Sequence, residues 1–173
     1  MKKIKNLLLL LVVCASLLTL TACGSKNVEG ELTDIMEKVY EKMYADVKED
    51  QRPGLVTTNP LNPFEDATEE DIAYQIEYAI GTNKDKIDYK EIVYSEPMMS
   101  SIAYSVVLVR MNEGADIEAA KTAIKEGVNP RKWMCVEVAK EDIIVKNKGD
   151  LIILIMVEDA TLREKIEAGF DNL

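Results

Sequence analysis

The chain changes its apolar rhythm several times, and each change predicts an element. Leu7 to Leu18 is an almost continuous apolar block. Leu32, Ile35, Met36, Val39 and Met43 then recur at helical spacing, with Thr33 or Asp34 available as a cap, and predict an amphipathic helix. From Glu49 to Ala67 the pairs Pro53-Gly54, Asn59-Pro60 and Asn62-Pro63 read as a long loop without regular structure. Thr68-Glu69-Glu70-Asp71 is a helix start, with a threonine cap and acids that complement the helix dipole, and Gly81 ends that helix. At 100° per residue, Ile72, Ile76 and Ala79 share one face of it while Tyr74 and Tyr78 fall roughly opposite.

From Tyr89 the period becomes two. Tyr89 to Ser95 and Ile102 to Met111 predict two strands of a hairpin joined by Glu96-Pro97-Met98-Met99-Ser100-Ser101. Asp116 caps a helix carrying Ile117, Ala120, Ile124 and Val128, which Asn129-Pro130 stops. Trp133 to Val138 and Ile143 to Lys146 are further strand candidates, and a turn at Lys146 to Asp150 leads into Leu151 to Val157. Asp159 caps a last helix with Leu162 and Ile166 on one side. Ile102 to Val109 and Leu151 to Val157 are apolar on both pleat faces, as central, neighbouring strands covered above and below would be. The fold class expected is α+β: helices leading into a mostly antiparallel sheet of about four to five strands, with helices packed on it.

The N-terminal block is something other than a core element. Lys2, Lys3 and Lys5 precede it, and Leu20-Thr21-Ala22-Cys23 closes it with small residues before a cysteine, which is the organisation of a secretory leader. Cys14, Ser16, Thr19 and Thr21 interrupt the stretch and leave it short of the roughly 20 apolar residues that span a bilayer. Val13 is branched where a signal peptidase takes a small residue, so Cys14 is a poor acceptor and Cys23, after Ala22, a good one. The leader resembles bacterial lipoprotein signals. That resemblance implies removal of residues 1–22, diacylglyceryl transfer to the Cys23 thiol, a lipidated tether over 23–30 and one α+β domain over 31–173. Two acyl chains make a stable anchor, because each buried methylene contributes about 0.8 kcal/mol.

Processing would leave 151 residues and shift the formal charge from −10 to −13. A strongly acidic domain is repelled by nucleic acid and by anionic headgroups. Cys135 would be the sole free thiol, which removes any intrachain disulfide; in an alternating strand beside Trp133 and Met134 it reads as a packed small residue. The chain has no histidine, and so lacks the commonest general base and a favoured zinc ligand. It has no Ser-x-x-Lys, no glycine-rich phosphate loop and no Asp-x-Asp-x-Asp calcium loop. The acidic pairs Glu65-Asp66, Glu69-Glu70-Asp71, Glu141-Asp142 and Glu158-Asp159 offer oxygen ligands, but three of these clusters fall where helix starts or turns explain them. No catalytic, metal or cofactor site is expected.

Apolar groups outside the predicted core are more informative. Tyr74 and Tyr78 leave the buried helical stripe, and Met98 and Met99 sit in a hairpin connection. Tyrosine supplies rigid amphipathic area and methionine adapts its shape, a combination that suits recognition of a partner. The alternative is that the proline-rich loop folds over the tyrosines and the methionines tuck under a helix, which would make all four packing residues. Tyr94 to Met99, the strand and helix that follow to Val128, and the hairpin at Gly149-Asp150-Leu151 resemble a family of small lipoproteins of Gram-positive bacteria classed as a domain of unknown function. That resemblance implies the outer face of the cytoplasmic membrane and carries no catalytic residues. The expected function is a non-enzymatic, membrane-anchored accessory module for a protein or envelope partner. The alternatives are a small-ligand or cation receptor, and a histidine-free envelope hydrolase.

Overall fold

The computed structural model describes residues 27–45, 57–60, 67–83, 85–97 and 99–173. The leader, Cys23 and Met98 lie outside them, as does most of the proline-punctuated loop. In chain order the elements are α1 (Leu32–Tyr44), β1 (Thr57–Pro60), α2 (Glu69–Ile80), β2 (Tyr89–Glu96), β3 (Tyr104–Met111), α3 (Ile117–Gly127), β4 (Ile144–Lys148), β5 (Leu151–Val157) and α4 (Ala160–Asp171). A single 3-10 turn, Lys140–Asp142, precedes β4. Among the described residues the strands form one antiparallel sheet in the order β1-β2-β3-β5-β4. The fold is α+β, and it places helices on both faces of that sheet.

Continuous apolar runs put β3 and β5 at the centre. They pair from Tyr104↔Val157 to Arg110↔Leu151, and every residue of β5 is buried. On one face Val107, Val109, Ile152 and Leu154 pack with Ile76 and Ile80 of α2 and Ile124 of α3. On the other, Val106, Leu108, Ile153 and Ile155 pack with Leu32, Ile35, Met36 and Val39 of α1 and with Ile166 and Phe170 of α4. The period-two pleat thus feeds two separate cores. Burying a large aliphatic side chain contributes roughly 1.5–3 kcal/mol, so each face is a major part of the stability.

Local signals set most of the boundaries. Thr68 and Asp71 form a reciprocal capping box, with Thr68 N donating to Asp71 Oδ2 at 2.9 Å and Asp71 N to Thr68 Oγ1 at 3.2 Å. Gly81 takes the left-handed conformation that ends α2, and Asp116 and Asp159 cap α3 and α4 through Ala119 N and Leu162 N. Four expectations need correction. α1 starts after Glu31 without a side-chain cap, leaving Thr33 and Asp34 inside the helix. Thr57–Pro60 pairs with β2 as an edge strand, a place where the missing proline N–H can face away from the ladder. Trp133 to Val138 makes no strand, and Cys135 is exposed at φ 63°, where it breaks the alternation. Buried Trp133 and Val138 hold the ends of that segment in the core, and the bend at Cys135 turns its middle outward.

The chain enters the fold through Arg110. Its guanidinium donates to the carbonyls of Val28 at 2.7 Å and Gly30 at 2.8 Å, and lies 3.7 Å from the Asp150 carboxylate. Among the described residues, contacts with the sheet therefore already include Val28, at the end of β3. α1 and α4 meet closely on the same side of the molecule: a Cβ on Gly169 would stand 2.0 Å from the Val39 carbonyl oxygen. Gly169→Ala is expected to force the two helices apart and to lower stability by about 1–3 kcal/mol, read as a lower urea midpoint.

Candidate functional site

The outer face of α2 carries the tyrosines. Because Ile76, Ala79 and Ile80 are committed to the sheet, the helical period turns Glu70, Ala73, Tyr74, Glu77 and Tyr78 toward solvent. Tyr74 is 70% exposed and Tyr78 40%. The C-terminal ends of α2 and α3 touch through bare backbone, since a Cβ on Gly127 would lie 2.1 Å from the Gly81 carbonyl oxygen. That approach leaves a groove of about 560 Å³ lined by Tyr74, Glu77, Tyr78, Asn129, Arg131 and Lys132.

Beyond α3 the chain closes a compact loop. Val138 N donates to Pro130 O at 3.0 Å, Arg131 N to Asn129 Oδ1 at 2.9 Å, and Arg131 pairs with Glu137 across the loop. Lys132 turns inward until its side chain is only 3% exposed. There its ammonium pairs with Glu96 at the end of β2, donates to Ser105 Oγ at 3.0 Å and lies 4.5 Å from the centre of the Tyr78 ring. The Tyr78 carbonyl in the last turn of α2 is a further acceptor at 3.4 Å. Met134, next to buried Trp133, is 65% exposed, and its N–H donates to Ser100 O at 2.8 Å, next to Met99, which is 59% exposed.

Three of the sequence candidates, Tyr74, Tyr78 and Met99, thus lie on segments that Lys132 and the Met134 amide tie together. Met134 joins them and is missed by a strand reading of its segment. The Lys132–Ser105 contact joins residues 27 positions apart, and the Lys132–Glu96 pair residues 36 apart. No spacing rule announces either.

A lysine beside a serine invites a nucleophile reading, but the geometry opposes it. Activating Ser105 needs a lysine whose amine is free to take a proton. Burial lowers the proton affinity of Lys132, but its nitrogen is already engaged by the Glu96 carboxylate, which acts in the opposite direction. Ser105 also has no exposed surface. The cluster instead pins α2, the Pro130–Val138 loop and β2 to one another. Elsewhere Asp71 and Asp159 serve as caps and Asp142 pairs with Arg163. Among the described residues no three acidic or cysteine side chains are grouped to hold a metal ion.

No family model, curated protein or solved structure matches the chain.

Removing one partner of a buried ion pair strands the other. Lys132→Met is expected to cost about 3–5 kcal/mol, and adding Glu96→Gln to recover part of it, a coupling of about 1–3 kcal/mol. Urea denaturation of both single variants and the double variant measures this, and additive losses would mean that the pair is uncoupled. Tyr78 makes a pH-dependent contribution. Burial, then the charge of Glu96 and a hydrogen bond to it, push the phenol up to about 12. Unfolded tyrosine ionises near 10, so the folded state keeps a proton that the unfolded state loses. That stability is whole below pH 10 and is lost as pH rises through about 12. Burial moves Tyr40 and Tyr104, whose hydroxyls lie 2.9 Å apart in the opposite core, in the same direction. Urea midpoints are expected to fall from pH 10 to 12, and to fall less in Tyr78→Phe.

Proposed function

We propose that this chain is a lipid-anchored, non-enzymatic accessory protein that binds a protein partner through the end carrying Tyr74, Tyr78, Met99 and Met134. One observation carries the reading. The large apolar side chains exposed among the described residues are these four, and they lie on three segments that the Pro130–Val138 loop links by hydrogen bonds to Tyr78 and Ser100. The leader and Cys23 support an anchor on the extracytoplasmic face, and the acidic balance disfavours nucleic acid as partner.

The arrangement suits such a role. Ser105, beside Lys132, and Arg110, which holds Val28 and Gly30, are five residues apart on β3, about 17 Å at strand rise. A domain tethered at its Arg110 end would present the tyrosines and methionines at the other. A small-ligand receptor is the second reading, favoured by a cavity of about 830 Å³ at the Arg110 end, lined by Lys90, Asn112 and Asp150 among others. Arg110 itself is already engaged there by two carbonyls and a carboxylate.

In-cell cross-linking of the anchored protein tests the proposal. A dominant protein partner is expected with the wild type and should be lost with Tyr74→Ala/Tyr78→Ala. A partner retained by that variant, or none with either protein, would overturn the assignment and favour the ligand receptor.

A further inference from the structure

The charges around the tyrosines identify the kind of partner. The α2 sequence holds Glu69, Glu70, Asp71 and Glu77, and no lysine or arginine. Asp71 is occupied by the capping box, which leaves Glu70 and Glu77 on the same exposed face as Tyr74 and Tyr78. Glu70, Tyr74 and Tyr78 follow one another at i+4 spacing, so acid and ring share one ridge, and Ala73 leaves a gap beside it. The two cations that line the groove are already matched: Arg131 by Glu137 and Lys132 by Glu96. The C-terminal ends of α2 and α3 converge on the groove at Gly81 and Gly127, and helix C-termini carry partial negative charge. Tyrosine faces attract cations as well, and Tyr78 already accepts the Lys132 ammonium on its ring.

We infer that the occupant of this end is a basic amphipathic segment of a partner protein. Its lysine or arginine side chains would meet Glu70, Glu77 and the tyrosine rings, and its apolar side chains would pack on Tyr74, Met99 and Met134. An acidic partner segment meets uncompensated carboxylates at this face and is excluded. The inference rests on the reading of this end as a partner surface and adds the sign of the partner's charge.

The test uses the whole chain, purified in non-ionic detergent, and a 14-residue peptide of lysine and leucine at helical spacing as probe. Its counterpart with glutamate for lysine is the control. Titration is expected to show saturable binding of the basic peptide and none of the acidic one. Tyr74→Ala, at an exposed position where folding is not at stake, should weaken binding about tenfold. Glu77→Gln should weaken it about threefold, while Glu113→Gln at the Arg110 end leaves it unchanged. Equal losses from Glu77→Gln and Glu113→Gln would mean attraction to net charge alone and would overturn the inference. So would binding of the acidic peptide, or indifference to Tyr74→Ala. Were the cross-linked partner still lost in the tyrosine variant, any of these results would remove the basic segment and leave the partner surface standing.

Discussion

Two strands with no face to give to water govern the rest of this molecule. Val106 to Val109 and Ile152 to Ile155 are fully buried, and an antiparallel sheet with such a centre has to be covered twice. The consequence is a division of labour among the helices. α1 and α4 cover one face, α2 and α3 the other, and each has one committed stripe and one face left over. What distinguishes α2 is the content of its leftover face, where rings and carboxylates alternate along a helix without a single base.

Lys132 is the polar counterpart of that apolar constraint. A buried ammonium is costly unless its donors and its charge are matched, and here a carboxylate, a hydroxyl, a helix carbonyl and an aromatic face surround it. Because those partners come from β2, β3 and α2, the lysine fixes the position of the loop that carries Met134 relative to the helix that carries Tyr78. A recognition surface gains from such rigidity, since ordering costs that are already met in the free protein do not count against binding.

Much of this was legible in the residues, for identifiable reasons. Caps are short-range chemistry, so Thr68, Asp116 and Asp159 announced their helices. Double-sided apolar runs announced the central pair. Period and helical angle also turned Tyr74 and Tyr78 away from the core. Hidden features depended on long-range closure or on backbone states that composition does not signal. Cys135 at positive φ converts an apparent strand into a bend, and Pro60 joins a sheet edge across a loop rich in turn residues. Lys132, Glu96 and Ser105 look like ordinary surface residues until the fold brings them together.

Arg110 has a mechanical meaning. A pull applied at Val28 meets two charge-assisted hydrogen bonds on Arg110 before it reaches α1. The load then passes into β3, which is laddered to β2 on one side and β5 on the other. Tension at Val28 and Gly30 is thereby shared between the first helix and the fully buried centre of the sheet.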